Sequence, residues 1–344
     1  MAIILAPFLI INYCQTILQN RNNFLFVDFW FLAFLTYFVL VVGFNLLIGT
    51  DIAIAKTLLA VTPQFLVLFI VVKLVNPQIP RFRNWVTLLY VLLTLLIFLN
   101  IQDGQFVVAT ADARLTEDRL ADYQSYAFVY LVISIYIVTG LRSRTKRFAI
   151  YTSALAALFL NGARSEFVGF FMCIPIIELC LSKYKSVFLI LGIAAITTSI
   201  ILLPIILELL PENRVLMILK EYKQDDSVIE RQNMAQLAWD TISSYPIFGS
   251  FASYKPGEYA HNIISVWVDL GLLGFTIFVL LIVIPVADMM LRFGKQSNNS
   301  DFILAFCLLL LVVLLTTMAK HFTYQLLPVA LAAYARVVIG QRLM

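Results

Sequence analysis

Residues 261–291, HNIISVWVDLGLLGFTIFVLLIVIPVADMML, decide the fold class of this chain. Within this run only Asp269 and Asp288 carry a charge at neutral pH. Roughly 20 apolar residues are enough to cross the hydrocarbon core of a bilayer. The run therefore predicts a membrane-spanning helix, and its extra length predicts that the helix is tilted or extends beyond the bilayer.

The rest of the chain has the same apolar character. Of its 344 residues, 62% are hydrophobic and 13% are charged, whereas a soluble domain is about 45–50% apolar and about 25% charged. The mean hydropathy is +0.93. Packing in water cannot bury this much apolar side chain, so the predicted fold class is an all-α polytopic membrane protein.

Eleven apolar runs are long enough to be membrane spans. They cover approximately residues 2–18, 24–48, 53–75, 84–100, 123–141, 147–161, 165–182, 186–208, 262–291, 301–319 and 322–340. No basic region precedes the first run, which predicts a retained span rather than a cleaved signal peptide. The break NGARSEF between the sixth and seventh runs predicts a tight hairpin or one broken helix.

Basic residues orient the predicted spans. The largest basic cluster lies in 142–147, and smaller ones lie in 81–83, 183–185 and 292–295. These four loops fall on the same side of the predicted array, and basic loops face the cytoplasm. The N-terminus is therefore predicted outside and the C-terminus inside.

Two longer loops fall on the outer side. Residues 101–122 form an acidic loop, and residues 209–261 form a large loop that is expected to carry short amphipathic helices. No segment on either side is large enough for a separate soluble domain. Residues 1–344 are therefore predicted to form a single integral-membrane domain.

Ionisable residues at membrane depth are costly and are candidates for a functional site. Most of them converge on the predicted outer side, and they are Arg164, Arg231, His261, Asp269, Lys320 and His321. Their neighbours Glu166, Asn262 and Tyr324 are predicted to contact a substrate at the same site. We expect a polar pocket that opens to the outside.

The position of Arg231 in a predicted amphipathic helix indicates the direction of its side chain. Met234, Ala235, Ala238 and Ile242 recur at helical spacing, and Arg231 lies on the same stripe. An arginine on the apolar face of an amphipathic helix is predicted to point into the protein. The alternative is that Arg231 snorkels at the bilayer surface or pairs with Glu230.

Arg164 lies at the outer turn between two predicted spans. A cation at a helix end is often only an interface anchor. Its neighbours Ser165 and Glu166 could serve as caps of the seventh span. The sequence leaves both interpretations of Arg164 open.

His261, Ser265 and Asp269 follow one another at helical spacing. A catalytic triad on this stripe is disfavoured, because residues stacked one per turn rarely bring the base into contact with both partners. A polar wall of a water-filled cavity is the preferred interpretation. The sequence also contains no G-x-S-x-G elbow, metal-binding motif, Walker A sequence or Rossmann fingerprint, so no metal and no cofactor are predicted.

The predicted site combines arginines and lysine with a histidine. Arginine binds phosphate through two parallel hydrogen bonds, and histidine is suited to act as a base near neutral pH. ATP and nucleotide sugars are not expected outside the cytoplasm. A transferase with this site would need a lipid-linked donor whose pyrophosphate is the leaving group.

Residues 231–278 resemble the signature region of the O-antigen polymerase and ligase superfamily. The resemblance consists of an arginine opening a short helix, then PIFG, a glycine-bearing loop, the pair His261–Asn262 and an apolar helix with GLLG. The segment GARSEF resembles the upstream element of that superfamily, in which a small residue precedes an arginine. The motifs cover about a fifth of the chain, while the predicted layout of spans and loops agrees throughout.

The resemblance implies a GT-C-type glycosyltransferase of the bacterial inner membrane that acts without a metal at the periplasmic face. Its substrates would be undecaprenyl-pyrophosphate-linked oligosaccharides within the membrane lipids. A chain-length regulator would be a possible protein partner, and no nucleic acid would be involved. Arg164 and Arg231 correspond to the arginines that hold the pyrophosphate, and His261 corresponds to the histidine that assists the acceptor hydroxyl.

Two alternatives remain beside a polymerase of lipid-linked repeat units. A ligase of the same superfamily would transfer the glycan to lipid A–core, but the family's ligases usually have His-Ser where this chain has His261–Asn262. A flippase or transporter would be expected to have paired discontinuous helices or inverted repeats near the middle of the membrane. The sequence shows one broken hairpin and no counterpart in its other half.

Overall fold

The computed structural model describes residues 2–19, 23–49, 52–102, 105–106, 121–182, 226–254, 260 and 262–342. These residues are almost entirely helical. The first seven helices are α1 Ala2–Gln19, α2 Phe26–Ile48, α3 Ile52–Leu74, α4 Pro80–Leu99, α5 Ala121–Gly140, α6 Arg144–Asn161 and α7 Arg164–Leu181. The other four are α8 Asp226–Ser244, α9 Ile264–Gln296, α10 Ser300–Met318 and α11 Leu326–Arg342. Ile101–Gln102 and Gln105–Phe106 form β1 and β2, a short antiparallel pair.

The protein is a polytopic α-helical membrane protein. Six segments of the described helices are long and apolar enough to cross a membrane, namely Phe26–Ile48, Ile54–Leu74, Pro80–Leu99, Tyr123–Gly140, Ile264–Gln296 and Ser300–Met318. Ten of the eleven predicted spans coincide with described helices, and the run 186–208 lies outside the described residues. The count of eleven membrane crossings stays a prediction.

The contacts divide the chain into two compact units. Unit 1 consists of Met1–Asn76, Ile229–Gln296 and Leu308–Met344, and unit 2 consists of Pro77–Val228 and Ser297–Cys307. In unit 1, α3 packs against α1, α2 and α11, and α9 packs against α2 and α11. In unit 2, α4, α5 and α7 all pack against α6.

The break NGARSEF is a tight hairpin. Gly162 ends α6 in the left-handed conformation (φ 79°), and its N–H bonds to the carbonyl of Phe159. Helix α7 begins two residues later at Arg164 and packs back against α6. Of the two structures that the sequence allowed here, the hairpin is the one present.

A buried ion pair joins α2 and α3 within unit 1. Lys73 Nζ lies 2.5 Å from Asp28 Oδ1, and both side chains are almost fully buried. The same carboxylate oxygen accepts a hydrogen bond from the hydroxyl of Tyr13, and its second oxygen accepts one from the backbone N–H of Leu25. Lys73 also donates to the carbonyl of Asn23. No motif in the sequence marks this cluster.

We expect Lys73→Met to lower the free energy of unfolding by about 3–5 kcal/mol, because it leaves the Asp28 carboxylate buried without its cation. Thermal unfolding in detergent measures this loss. Lys56→Met is the matched control, since Lys56 lies on the same helix with an exposed side chain. The double variant Lys73→Met/Asp28→Asn should recover part of the stability. Equal unfolding of the Lys73 and Lys56 variants would contradict this role.

Candidate functional site

The candidate site in unit 1 lies at a break in α9. The backbone of Gly271 leaves the helical conformation (φ 67°, ψ −174°), so α9 is two helical segments in sequence. The run that was predicted to be one long helix is therefore interrupted two residues after Asp269. Tyr37 on α2 donates a hydrogen bond from its hydroxyl to the carbonyl of Leu270 at the break (2.8 Å).

The loop that precedes α9 fills this break. The N–H of Ser250 bonds to the carbonyl of Val268 (2.6 Å), and the N–H of Leu272 bonds to the carbonyl of Ile247 (3.0 Å). These bonds satisfy backbone groups that an interrupted helix leaves without partners. The PIFG segment and the GLLG segment of the sequence thus form one backbone junction.

Glycine is required on both sides of this junction. A Cβ on Gly271 would lie 2.2 Å from the carbonyl oxygen of Ile247, and one on Gly249 would lie 2.4 Å from that of Val268. Both glycines also have positive φ angles, which favour glycine. The close approach of the loop to α9 therefore depends on these two residues.

Asp269 is held at the junction with little exposure to solvent. Its Oδ1 accepts a hydrogen bond from the backbone N–H of Ala252 (3.3 Å), which has a positive φ of 57°. Its Oδ2 lies 3.5 Å from Nε2 of His321. The loop and the segment between α10 and α11 thus meet at one carboxylate.

The imidazole of His321 has a defined orientation. Its Nδ1 accepts the backbone N–H of Thr323 (3.3 Å) and lies 2.8 Å from the hydroxyl of that residue. Because a backbone N–H can only donate, the neutral ring carries its proton on Nε2, which faces Asp269. Phe322 anchors this segment by packing against Phe34 and Phe278.

Tyr254 is the third polar residue of the candidate site, after Asp269 and His321. Its hydroxyl is buried and has no hydrogen-bond partner among the described residues. Burial, with a smaller contribution from the negative charge of Asp269, raises the pKa of Tyr254 to about 12. The Tyr254 hydroxyl therefore keeps its proton well into the alkaline range and can donate a hydrogen bond.

The remaining predicted residues near this junction have local roles. Asn262 uses its side-chain oxygen to accept the N–H of Ile264 (3.0 Å), and its carbonyl accepts the hydroxyl of Ser265 (2.8 Å). Ser265 is thus part of the turn that starts α9. Lys320 Nζ lies 5.1 Å from the centre of the Tyr324 ring, in a cation–π contact. His261 lies outside the described residues.

The helix predicted around Arg231 is present as α8, but the predicted orientation of Arg231 is wrong. Ala238 and Ile242 are buried against Tyr254 and Val268, as the apolar stripe predicted. Arg231 itself is exposed. On this stripe, Met234 is the first residue that packs against the protein core. Arg231 lies one helical turn before Met234, beyond the edge of that core, and is therefore not buried.

Arg164 and Glu166 belong to unit 2. Arg164 is the first residue of α7 and is partly exposed, whereas Glu166 is fully buried. The hydroxyl of Ser165 donates to the carboxylate of Glu166 (2.7 Å). The N-cap position of α7 is occupied by Ala163 and not by Ser165 or Glu166, and the Ala163 side chain makes no capping hydrogen bond.

Asn161, three residues before Arg164, was not selected as a candidate site residue from the sequence. It is only 3% exposed, and neither its amide nitrogen nor its amide oxygen has a hydrogen-bond partner among the described residues. Buried amides are usually satisfied. The sequence did contain a signal for Asn161, because it is a polar residue at the otherwise apolar C-terminal end of α6.

Neither a protein-family model nor a curated protein matches the sequence. The fold is similar to that of a chain in a solved peptidoglycan synthase complex, a structure that addresses the "structural coordination of polymerization and crosslinking" by that complex. The TM-score is 0.51 at 16% sequence identity, and the match covers 93% of this chain and 98% of that chain. The similarity shows that the two chains share a fold.

Proposed function

We propose that the protein is a membrane glycosyltransferase that polymerises lipid-linked oligosaccharide repeat units of an O-antigen or a related surface polysaccharide. The observation that carries the proposal is the fold shared, over nearly the whole chain, with part of a peptidoglycan synthase complex that coordinates polymerization and crosslinking. The resemblance of residues 231–278 to the O-antigen polymerase and ligase superfamily supports the same reaction class. The eleven spans and the GT-C architecture belong to this proposal.

The proposed reaction transfers the growing glycan from undecaprenyl pyrophosphate to the next lipid-linked repeat unit. The acceptor hydroxyl oxygen attacks the anomeric carbon of the donor, and the bond from that carbon to the pyrophosphate oxygen breaks. The pyrophosphate leaves with the bonding electron pair. His261 takes the proton of the hydroxyl, and Arg164 and Arg231 are proposed to stabilise the negative charge that develops on the leaving group.

The accessibility of the two arginine side chains suits this role. Arg164 is partly exposed and Arg231 is exposed, so both can reach a charged headgroup, which itself stays near the membrane surface. Contacts with the sugars are proposed for Asp269, His321, Lys320, Tyr324 and Asn262 in unit 1 and for Glu166 in unit 2. The site is proposed to face the periplasm.

Arg164→Ala and Arg231→Ala are each expected to slow polymer formation by about 10²–10³-fold, because a preorganised group that stabilises the leaving charge is lost. The initial rate of glycan extension on reconstituted protein measures the effect. Arg142→Ala is the matched control, since Arg142 is an exposed arginine in the basic cluster of the predicted cytoplasmic side. Equal rates for all three variants would contradict the assignment of the two arginines.

A polymerase and a ligase are separated by their acceptors. Purified protein in liposomes receives lipid-linked repeat units extracted from cells that make the polysaccharide, without lipid A–core. A polymerase produces a ladder of products that differ by one repeat unit. A ligase produces no ladder under these conditions and forms product only when lipid A–core is added.

Polymerisation of a peptidoglycan precursor is a second candidate, because the similar chain comes from a peptidoglycan synthase complex. A parallel reaction with lipid-linked peptidoglycan precursor as the only substrate tests it.

The break in α9 at Gly271 also has the form expected of a transporter helix. Movement of the lipid-linked substrate across the liposome without formation of a glycosidic bond would support that class.

A further inference from the structure

We propose that a cavity beside the second half of α9, beyond the Gly271 break from Asp269, binds the headgroup of an anionic phospholipid. The cavity has a volume of about 170 Å³ and lies among α2, α9 and α11 within unit 1. Its polar lining residues are Trp30, Arg292 and Tyr334, and its other walls are apolar. Arg292 follows the break at Gly271 by 21 residues, which corresponds to roughly 30 Å along a helix.

Two polar groups at this cavity have hydrogen-bond donors that the described residues do not use. The indole N–H of Trp30 is buried and has no partner among them. Arg292 donates from Nε to Asp288 (2.8 Å) and from Nη1 to Gln341. Its Nη2 donates to no group in the described part of the chain. Both residues line the cavity, and these two unused donors are the groups that the proposal assigns to a ligand oxygen.

The charge at the cavity favours an anion. The Asp288 carboxylate is already engaged, because one oxygen accepts from Arg292 and the other accepts from the hydroxyl of Tyr334 (2.9 Å). The Asp288 carboxylate balances the charge of Arg292, so the exposed Lys295 supplies the net positive charge at this end of α9. A phosphodiester offers the acceptor oxygens that an indole N–H and a guanidinium can share.

The apolar walls favour a lipid over a free anion. Phe26, Leu280 and Ile284 line the cavity, and 61%, 39% and 40% of their surfaces are exposed, respectively. Inorganic phosphate would leave these walls unused, whereas acyl chains that leave the cavity would cover them. A neutral or zwitterionic headgroup would in turn make less use of the positive charge.

The composition of the cavity also matches the level of lipid headgroups. Tryptophan and tyrosine concentrate at membrane–water interfaces, and basic pockets between membrane helices on the cytoplasmic side bind anionic headgroups. Trp30 and Tyr334 lie at one cavity with Arg292, at the end of α9 that the basic loop 292–295 predicts to be cytoplasmic. The inference does not depend on the proposed glycosyltransferase activity.

Native mass spectrometry of the full-length protein in detergent tests the site, with dioleoylphosphatidylglycerol, dioleoylphosphatidylcholine and inorganic phosphate as probes. We expect one phosphatidylglycerol to bind at least about tenfold more tightly than phosphatidylcholine. Trp30→Phe and Arg292→Gln should each weaken that binding about tenfold, because each removes a hydrogen bond to a charged group. Trp30→Phe keeps an aromatic ring and removes the indole N–H.

Trp85→Phe and Arg83→Gln are the matched controls, because both residues are exposed and neither lines the cavity. They should bind phosphatidylglycerol like the unmodified protein. Equal binding by the Trp30 variant and by the Trp85 variant would overturn the proposal. If phosphatidylcholine binds as tightly as phosphatidylglycerol, the site does not select an anionic headgroup and the proposal is wrong. If inorganic phosphate at the same concentration displaces all of the phosphatidylglycerol, the site binds a free anion and not a lipid.

Discussion

Gly271→Ala is expected to unfold the junction between the loop and α9 and to abolish polymer formation. The φ and ψ angles of Gly271 lie in a region that is essentially restricted to glycine. The added Cβ would also lie 2.2 Å from the carbonyl oxygen of Ile247, which belongs to the backbone and cannot rotate away. Strain, overpacking and the loss of junction hydrogen bonds together should cost on the order of 4 kcal/mol.

Gly294→Ala is the matched control for this prediction. Gly294 lies on the same helix, and a Cβ there would meet no atom within 4 Å. Alanine in a helix interior is favoured over glycine by roughly 0.5–1 kcal/mol, so this variant should be at least as stable as the unmodified protein. Thermal unfolding in detergent and the rate of glycan extension are measured on both variants. Similar results for Gly271→Ala and Gly294→Ala would show that the junction does not require glycine.

Gly249→Ala tests the junction from the side of the loop. Its Cβ would lie 2.4 Å from the carbonyl oxygen of Val268, so we expect a loss similar to that of Gly271→Ala. The two substitutions damage the same interface, and their costs should therefore not add. An additive double variant would indicate two separate defects.

His261→Ala is expected to reduce the rate of glycan extension by about 10²–10⁴-fold, because a general base is removed. The loss should appear in kcat, since proton transfer occurs in the transition state and substrate binding does not require it. Membrane insertion and thermal unfolding should stay close to those of the unmodified protein. Unchanged kcat in this variant would remove His261 from the catalytic residues.

His261→Gln distinguishes a base from a hydrogen-bonding residue. Glutamine can donate and accept hydrogen bonds, but it cannot take up a proton at neutral pH. If His261 is the base, the glutamine variant should be as slow as the alanine variant. Recovery of most of the rate by glutamine would instead assign His261 to positioning of the acceptor hydroxyl.

Much of the helical architecture could be predicted because membrane helices have a required length and an apolar composition. The runs 24–48 and 301–319, for example, match the observed helices Phe26–Ile48 and Ser300–Met318 within a few residues. The amphipathic stripe also predicted α8 in the loop that is predicted to lie on the outer side. The apolar runs and the amphipathic stripe each lie within one short segment of the chain, so they can be recognised in a single sequence.

The break in α9 could not be predicted from local sequence. GLLG is compatible with a continuous membrane helix, and the conformation of Gly271 becomes favourable only when Ile247 and Ser250 supply their backbone groups. The pairing of Asp28 with Lys73 has the same character, because the partners are separated by 45 residues. Both features depend on contacts that only the folded chain provides.

The candidate site was predicted in part. Asp269 and His321 were each selected because ionisable residues are costly at membrane depth, and the structure brings them within 3.5 Å of each other. Tyr254 was missed because tyrosine is common at membrane surfaces and carries no comparable signal. The orientation of Arg231 was predicted wrongly because helical periodicity shows which face a residue occupies but not where the neighbouring core ends.

An experimental structure of the protein with bound undecaprenyl pyrophosphate tests the proposed site most directly. We expect the pyrophosphate group to contact Arg164, Arg231 or both, on the predicted outer side of the membrane. Removal of the contacted arginine by substitution with alanine should abolish the bound density. A pyrophosphate bound instead at the basic cluster 142–147 would contradict both the predicted orientation of the chain and the assignment of the site.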